Sequence, residues 1–365
     1  MSGPLDGIVV ADFSRVLAGP YATMLLGDLG AHVIKVERPG HGDDTRAWGP
    51  PYTQGGMSTY FAGVNRNKTS RAIDLRTPEG RAAARELAVS ADVLVENFKP
   101  GALEGMGLGY GELSRERPGL IYCSISGFGS GEGRDLPGYD LLVQAMGGLM
   151  SITGPEPGQP TKAGVALVDV ITGLHAAVGI LAALHHRDVT GEGQRIEVNL
   201  LSSLLSALVN QSSAYVAAGV VPGILGNAHP SIAPYEVYLT ADRPLVIAVG
   251  NDGQFAALAE VLGDPALATD ADYATNPARV AHRDALKARL ESLLAVAGAD
   301  EWQLRLTAAG VPCGPINDLA QAFALAESLG LSPVVDADGV PTVANPITLS
   351  ATPPSYRSGP PDLPE

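Results

Sequence analysis

Four side chains have types and contexts that suit anion binding or catalysis. Asp169 lies between the extended run AGVALV and a strongly apolar helical stretch, where its carboxylate is either the N-cap of that helix or a reactive group. Arg38 in VERPG and Arg76 in LRTPEG carry guanidinium groups that match phosphate oxygens, with solvated surface charge as the alternative. Tyr139 in PGYD offers a phenol, which is a poor base for a carbon-bound proton at neutral pH.

The chain is acidic overall but basic in one segment. It has 24 Lys and Arg against 39 Asp and Glu, a formal net charge of −15, which disfavours a nucleic-acid partner. The segment from residue 35 to 76 has seven basic and four acidic residues, so we expect a local anion site there. Its basic residues are Lys35, Arg38, Arg46, Arg66, Lys68, Arg71 and Arg76.

Cysteine and histidine usage favours a reducing compartment and predicts no metal site. Cys123 and Cys313 are too few and too far apart for a disulfide framework. The adjacent His185 and His186 point in different directions on a helix, and no His-Glu-x-x-His pattern occurs. There is no basic-then-apolar leader and no uninterrupted apolar run long enough for a bilayer. We therefore expect a cytoplasmic protein without a membrane partner.

The elements that would position these residues alternate between strands and helices. Short β-branched runs predict strands at residues 8–13, 33–36, 92–98 and 120–125, and QRIEVNL predicts a later one. The best-marked helix has Thr77 as N-cap and Pro78 at its first position. This alternation predicts an α/β fold with a doubly wound, mostly parallel, Rossmann-like sheet, whose ligands bind at the carboxyl ends of the strands.

Two further segments shape the expected domain organisation. A helix from about residue 170 to 185 is apolar on nearly every face, so we expect it to be buried. After a Gly- and Pro-rich stretch, EVYLTADRPLVIAVG predicts two strands around a turn at Asp242, and helices are predicted at residues 255–262, 283–297 and 301–309. We place a smaller α+β domain at residues 226–325. The Pro-rich tail predicts little regular structure.

Several common catalytic patterns are absent from the sequence. There is no Gly-x-x-x-x-Gly-Lys-Ser/Thr phosphate loop and no Gly-x-Ser-x-Gly elbow. GMGLGYG lacks the full dinucleotide fingerprint and does not follow the first strand, so we interpret it as a turn.

Taken in order, several stretches resemble the class III CoA-transferases, the group of formyl-CoA transferase and carnitine CoA-transferase. The matching stretches are DFSRVLAGPYATMLLGDLGAHVIKVERPGHGDDTR, NRNKTSRAIDLRTPEG, ADVLVENFKPGAL, PGYDLLVQAMGGLM, VDVITGLHAA, GNAHPSIAPYEVY and GVPCGPIND. The resemblance implies a large CoA-binding domain at residues 1–200, a linker helix at 201–225, and a return of residues 326–365 to the large domain after the small one. It also implies a homodimer of interlocked chains.

The resemblance implies that Asp169 is the catalytic nucleophile. Its carboxylate would attack the acyl-CoA thioester and then carry CoA as an aspartyl thioester, with acyl-CoA and a carboxylic acid as substrates. No permanently bound cofactor is expected. The same resemblance implies that the CoA phosphates, thiol arm and adenine contact Val16, Ala18, Arg38, Ile73, Arg76, Asn97, Phe98 and Tyr139.

Three positions bear on the details of this prediction. Gly105 stands where the family often carries Arg, so a phosphate contact is either missing or supplied by a neighbour such as Lys99. Tyr139 stands where the related α-methylacyl-CoA racemases carry a His base, which favours transfer over the alternative of a racemase or isomerase. A CoA-binding protein without turnover is a further alternative, which Asp169 disfavours. The stretch GNAHPSIAPYEVY resembles the members that use succinyl-CoA as donor.

The run VGNDGQF has two interpretations. Gly250 and Gly253 would allow a loop over an active site, and an ordinary turn is the alternative.

Overall fold

The computed structural model describes residues 3–364 and contains a parallel sheet as its largest feature. The strands are β1 (Val9–Asp12), β2 (His32–Glu37), β3 (Lys68–Ala72), β4 (Val93–Glu96), β5 (Ile121–Ser126), β6 (Arg195–Asn199), β7 (Tyr235–Tyr238), β8 (Leu245–Ala248), β9 (Cys313–Pro315), β10 (Val334–Ala337) and β11 (Val340–Val343).

Fourteen α-helices lie within the described residues 3–364, and α1, α3 and α7 are among those that pack on the main sheet. They are α1 (Ala18–Asp28), α2 (Thr59–Ala62), α3 (Pro78–Ser90), α4 (Tyr110–Glu116), α5 (Asp140–Met146), α6 (Leu149–Ile152), α7 (Leu167–Thr190), α8 (Leu200–Ala207), α9 (Val209–Ala218), α10 (Asp252–Val261), α11 (Asn276–Ala281), α12 (Arg283–Leu294), α13 (Ala299–Ala308) and α14 (Leu319–Ser328).

The main sheet has the order β3-β2-β1-β4-β5-β6, and every pairing in it is parallel. Alternate residues of each strand enter the two cores. Val10 and Val93 pack against α1 and α7 on one face, and Ala11 and Leu94 pack against α3 on the other. The predicted doubly wound α/β sheet is confirmed. The order reverses between β1 and β4, and such a switch point is where open α/β sheets bind ligands.

Strand β3 was missed by the sequence reasoning. Its residues KTSRA include few of the β-branched or aromatic side chains that indicate strands, yet they pair in register with β2 from Val33↔Lys68 to Glu37↔Ala72. The side chain of Lys68 is buried in an ion pair with Asp12, which explains how a polar strand enters the sheet.

Contacts divide the chain into two compact units. One comprises residues 3–150, 162–222 and 332–364 and holds the parallel sheet, and the other comprises residues 151–161 and 223–331. The second unit has an antiparallel sheet in the order β7-β8-β9, packed by α10, α12 and α13 around Trp302 and Phe255. The predicted hairpin around Asp242 and the three predicted helices are present, while β9 is an addition.

Helix α7 differs from its prediction in its start and its burial. It begins at Leu167 rather than near residue 170, and only one face is buried, because Leu174, Val178 and Leu181 are 43%, 65% and 38% exposed. By length and composition alone α7 is apolar enough to cross a membrane. Its buried face belongs to the core beside the parallel sheet.

The C-terminal segment contains the β10–β11 hairpin and then continues without helix or strand up to residue 364. Hydrogen bonds hold it to the C-terminal end of α1 and the residues that follow. The N–H of Ser355 donates to the carbonyl of Asp28 at 2.9 Å, and Arg357 donates to the carbonyls of Gly27, Gly30 and Ala31 at the end of α1.

Candidate active site

A cavity of about 200 Å³ opens at the carboxyl ends of the strands beside the switch point. Its wall brings together four of the residues predicted to bind CoA, namely Arg38, Ile73, Arg76 and Phe98. Its other lining residues are Phe13, Arg15, Lys35, Val36, Glu37, Gly42, Asp43, Asp74, Leu75 and Met106. Val16, Ala18, Asn97 and Tyr139 lie outside this lining.

The two arginines of the cavity differ in their availability. Arg38 is exposed, and its guanidinium donates no hydrogen bond within residues 3–364. Arg76 already forms a fork with Asp74, at 2.9 Å from Nε to Oδ1 and 2.8 Å from Nη2 to Oδ2. A phosphate would have to compete with that carboxylate, so Arg38 is the freer anion ligand of the two.

Most of the predicted basic excess is neutralised inside the protein. Lys35 pairs with Asp43, Arg46 with Glu37, Arg66 with Asp28, and Lys68 with Asp12. Sequence counting missed this because two of those carboxylates, Asp12 and Asp28, lie before the counted segment. The anion-binding capacity of the cavity therefore depends on individual side chains such as Arg38.

Lys99 and Tyr139, two residues considered for the CoA site, both lie at the protein surface. Lys99 forms an exposed ion pair with Asp135 at 2.8 Å. Tyr139 occupies the N-cap position of α5, but its side chain makes no capping hydrogen bond and is 68% exposed. Its phenol therefore lies outside the hydrophobic core.

Asp169 is not the N-cap of α7, contrary to the non-catalytic interpretation of the sequence. Ala166 occupies that position, and Asp169 lies in the first turn. The backbone N–H groups of Val168 and Asp169 donate instead to Oδ1 of Asp140, at 2.8 and 3.2 Å. Because Asp140 caps the helix, the Asp169 carboxylate keeps its lone pairs, and it accepts no hydrogen bond within the described part of the chain.

The environment of Asp169 makes its carboxylate a stronger base than an ordinary one. Burial, and secondly the negative charge of Asp140, raise the pKa of Asp169 to about 7. Burial and the charges of Asp169, Asp140 and Asp43 also raise the pKa of Tyr60 to about 12, so its hydroxyl remains a hydrogen-bond donor near neutral pH. Trp48 packs edge-to-face on Tyr60, with ring centroids 5.2 Å apart.

Tyr60, Asp140 and Trp48 are site residues that sequence reasoning missed. Asp140 directly follows the predicted site residue Tyr139, and this position could have suggested it. The spacing of residues could not show that Asp140 caps α7 through the N–H of Val168, 28 residues later. Tyr60 lies on the four-residue helix α2, which has no periodic pattern.

Ala18 lies against the helix that carries Asp169. A Cβ added to Gly173 would be 2.6 Å from the carbonyl oxygen of Ala18, so α1 and α7 approach closely at this glycine. Gly173 is one helical turn after Asp169. Ala18 and Asp169, both predicted site residues, therefore lie in the same region of the first unit.

The run VGNDGQF forms the start of α10 in the second unit. Asn251 caps the helix by accepting from the N–H of Gln254 at 2.9 Å, and the Gln254 side chain accepts from the N–H of Gly250 at 2.8 Å. These two bonds make the run an ordered capping turn.

The sequence matches a known enzyme family along almost its whole length. The family model described as "CoA-transferase family III" matches residues 5–365. The chain belongs to CoA-transferase family III. It is 47% identical over 378 residues to succinate–glutarate CoA-transferase of Agrobacterium fabrum, covering 99% of this chain and 93% of that protein. It is 43% identical over 366 residues to acetyl-CoA:oxalate CoA-transferase of Acetobacter aceti, covering 100% and 94%.

A solved structure agrees with this family assignment. A CaiB/BaiF family protein from Brucella suis superimposes with a TM-score of 0.88 at 45% identity, covering 100% of this chain and 97% of that one. The resemblance stated from sequence motifs is confirmed, and with it the prediction that the chain is a class III CoA-transferase enzyme. Acyl-CoA is accordingly a substrate rather than a resident cofactor.

Proposed function

We propose that this class III CoA-transferase moves CoA from a small dicarboxylyl-CoA, with succinyl-CoA as the donor, to a second small carboxylic acid. Two relatives at 47% identity are named succinate–glutarate CoA-transferase and succinyl-CoA:glutarate CoA-transferase. A third, at 43% identity, is named succinyl-CoA:mesaconate CoA-transferase. The acetyl-CoA:oxalate enzyme at 43% identity shows that the family also contains other pairs, so the donor needs a direct test.

The observation that carries the mechanism is the state of Asp169. Its half-buried carboxylate lies in the first turn of α7, accepts no hydrogen bond within residues 3–364, and has its pKa raised to about 7 by burial and by Asp140. A carboxylate of raised pKa with free lone pairs is a stronger nucleophile than one held in an ion pair. Asp169 is therefore the nucleophile of the proposal.

The first half-reaction transfers CoA to the enzyme. A carboxylate oxygen of Asp169 attacks the thioester carbonyl, the C–S bond breaks, and CoA leaves as a thiolate, so a mixed anhydride forms. The thiolate then attacks the Asp169 carbonyl carbon of that anhydride. The donor acid leaves as a carboxylate, and an aspartyl-CoA thioester remains.

The second half-reaction repeats these steps with the acceptor acid. Its carboxylate attacks the aspartyl thioester and expels CoA thiolate, which then attacks the acceptor's carbonyl carbon and releases Asp169 as a carboxylate. Each step exchanges a carboxylate for a thiolate. The chemistry is complete without a metal, a nucleotide or a redox group, and we propose none.

Two side chains near Asp169 suit the charge that these steps develop. Tyr60, whose pKa is raised to about 12, keeps its proton and can donate a hydrogen bond to an oxyanion. Asp140 fixes the first turn of α7 through the backbone N–H groups of Val168 and Asp169. Its negative charge opposes a second negative charge on Asp169 and thus favours the neutral acylated forms.

We assign CoA to the cavity at the carboxyl ends of the strands. Arg38 and Arg76 bind phosphate groups, Ile73 and Phe98 offer apolar surface to the adenine, and Val16, Ala18, Asn97 and Tyr139 follow the thiol arm. The support is that the first four line one cavity, and that Ala18 packs one turn from Asp169.

A homodimer of interlocked chains in the cytoplasm remains our proposal for the assembly. Its support is the exposed apolar face of α7, formed by Leu174, Val178 and Leu181. In water such a face is stabilised by burial against another surface. The domain division at residues 1–200, 226–325 and 326–365, with 201–225 as a linker, also remains part of this proposal.

A donor and acceptor panel tests the proposal. The protein is mixed with succinyl-CoA, acetyl-CoA or oxalyl-CoA and with glutarate, mesaconate or oxalate, and new acyl-CoA is measured by mass spectrometry. We expect the fastest exchange with succinyl-CoA and a dicarboxylate. Faster exchange from acetyl-CoA would contradict succinyl-CoA as the donor. Deuterium uptake at the substrate α-carbon without CoA exchange would show that the enzyme is an isomerase rather than a CoA-transferase.

A further inference from the structure

The loop between β1 and α1 has a residue in an unfavourable backbone conformation. Val16 has φ +71°, in the left-handed region, where a β-branched side chain collides with its own backbone. Such a residue persists only where the surrounding contacts offset the strain. The loop leads directly into Ala18, whose carbonyl lies against α7 one turn beyond Asp169.

Asp43 supplies the contact that holds Val16. Its two carboxylate oxygens accept from the N–H of Val16 at 3.3 and 3.2 Å. Oδ1 also accepts from the N–H and hydroxyl of Thr45, at 3.0 and 2.8 Å, and Oδ2 accepts from Nζ of Lys35 at 2.8 Å. The side chains of Lys35 and Asp43 are both 0% exposed. Their geometry is fixed by packing on every side.

The neighbouring loop residues are held in the same way. Lys35 also donates to the carbonyl of Ser14 at 3.0 Å. The amide of Asn97 accepts from the N–H of Arg15 at 2.8 Å and donates to the carbonyl of Arg15 at 2.7 Å. Three consecutive loop residues are therefore each bound by a side chain from another element. We call Asp43, Lys35 and Asn97 the loop clamp.

The loop clamp fixes a backbone segment that ends in two N–H groups without hydrogen-bond acceptors among the described residues. The N–H groups of Leu17 and Ala18, at the start of α1, donate no hydrogen bond within residues 3–364, and α1 has no side-chain cap. Asp43 is ionised at neutral pH, because Lys35 and Thr45 offset the effect of burial and lower its pKa. A charged, buried acceptor of fixed position is well suited to hold a strained backbone.

We propose that Asp43 is a positioning residue for CoA transfer: by binding the N–H of Val16 it holds the β1–α1 loop in the strained form that faces the acyl-CoA thioester. This inference rests on the proposed function. Asp43 lines the cavity, but its side chain is 0% exposed and both carboxylate oxygens already accept hydrogen bonds within the protein. In this account it therefore acts on the substrate only through the backbone from Ser14 to Ala18. Loss of the clamp therefore lowers kcat more than it raises KM for acyl-CoA, since the cavity around Arg38 binds much of CoA.

Two variants of Asp43 test the inference. Asp43→Asn removes the charge but keeps the size, and Asp43→Glu keeps the charge for Lys35 but moves the carboxylate by one methylene group. We expect both to lower kcat at least tenfold with KM changed less than threefold, and we use Asp43→Glu if Asp43→Asn does not fold. Asp318→Asn, which changes the N-cap of α14 in the second unit, is the matched control and keeps kcat within twofold.

A rescue separates positioning from general stability. Glycine adopts positive φ without the Val16 side-chain clash, so Val16→Gly in the Asp43→Asn protein should restore kcat at least threefold. Unchanged kcat in both Asp43 variants would overturn the inference. The inference would also be overturned if the double variant regained its melting temperature while its kcat stayed low. Asp43 would then contribute to stability alone. Wild-type turnover and the Asp169 adduct are measured alongside, and their absence would instead refute the proposed function.

Discussion

Asp140 accepts a hydrogen bond from the backbone N–H of Asp169 at 3.2 Å, and its negative charge adds to burial in raising the pKa of the Asp169 carboxyl to about 7. One carboxylate thus fixes the position of another and tunes its basicity. The arrangement predicts how transfer and stability depend on pH.

Activity should rise with pH as Asp169 ionises. Because only the carboxylate attacks, kcat/KM for acyl-CoA should increase through a pKa near 7 in the free enzyme. Asp140→Asn retains an acceptor oxygen for α7 but removes the charge, so the acidic limb should move to lower pH by about one unit. A pH profile of kcat/KM for both proteins measures this. An unmoved limb would show that Asp140 does not set the ionisation of Asp169.

The contribution of Asp169 to the free energy of unfolding should fall with rising pH, whereas its contribution to activity rises. The folded-state pKa of Asp169 is above its ordinary value of 3.8, so the folded protein binds more protons than the unfolded chain between these values. Stability from this group is therefore lost as pH rises towards 7. At pH 8, Asp169→Asn should raise the free energy of unfolding by about 1–3 kcal/mol, after allowance for its partial exposure. Denaturant titration at pH 5 and pH 8 should show a larger gain at pH 8.

Arg38 should contribute mainly to binding of CoA. Its exposed guanidinium lines the cavity and is not in a hydrogen bond with the rest of residues 3–364, so its loss removes a phosphate contact without leaving a buried group unpaired. Arg38→Ala should raise KM for acyl-CoA by about 5- to 150-fold, as expected for about 1–3 kcal/mol. Arg115→Ala, an exposed change on α4, is the control. Equal KM values for the two variants would remove Arg38 from the site.

Asp28 should be important for stability rather than chemistry. It accepts from Arg66 at 2.9 and 2.6 Å, from Asn67 at 2.8 Å and from Asn345 at 3.0 Å, all in a buried cluster that binds the C-terminal segment. Asp28→Ala leaves the buried Arg66 guanidinium without its carboxylate partner and should cost about 3–5 kcal/mol. Glu116→Ala breaks the partly exposed pair with Arg85 and should cost less than about 1 kcal/mol. Similar losses in both variants would contradict the role of this cluster.

The proposed homodimer of interlocked chains should survive dilution, and the exposed apolar face of α7 is a surface that it could bury. Light scattering across a wide concentration range should give twice the mass of 37.5 kDa throughout. Interlocked chains separate only when they unfold or are cleaved. A folded species of monomer mass at low concentration would contradict the interlocked assembly.

The sequence predicted the strands that have short β-branched runs and missed the strand in which polar and charged residues replace them. Strands β1, β2, β4, β5 and β6 were all indicated by their residues, whereas β3 was hidden because Lys68 enters the core through its ion pair with Asp12. The same long-range pairing explains why the basic excess of residues 35–76 overstates the free positive charge in that segment. Spacing shows charges but not which partner neutralises them.

The candidate site was predictable in its parts but not in its geometry. Motifs located Asp169 and the four residues that line one cavity. The residue pattern also left the helix N-cap as an alternative interpretation of Asp169, because an Asp before an apolar helix usually has that role. The actual cap comes from Asp140, and the clamp on Val16 comes from Asp43, each through a tertiary hydrogen bond.

The measurement that tests the central claim most directly is the location of CoA on the enzyme. The protein is incubated with succinyl-CoA without an acceptor, quenched, digested and analysed by mass spectrometry, with and without hydroxylamine. We predict CoA on the peptide that contains Asp169, its release by hydroxylamine, and no adduct in Asp169→Asn, which should still bind CoA but lose essentially all transfer. An adduct on Asp140 or Glu197, or substantial turnover by Asp169→Asn, would contradict the account.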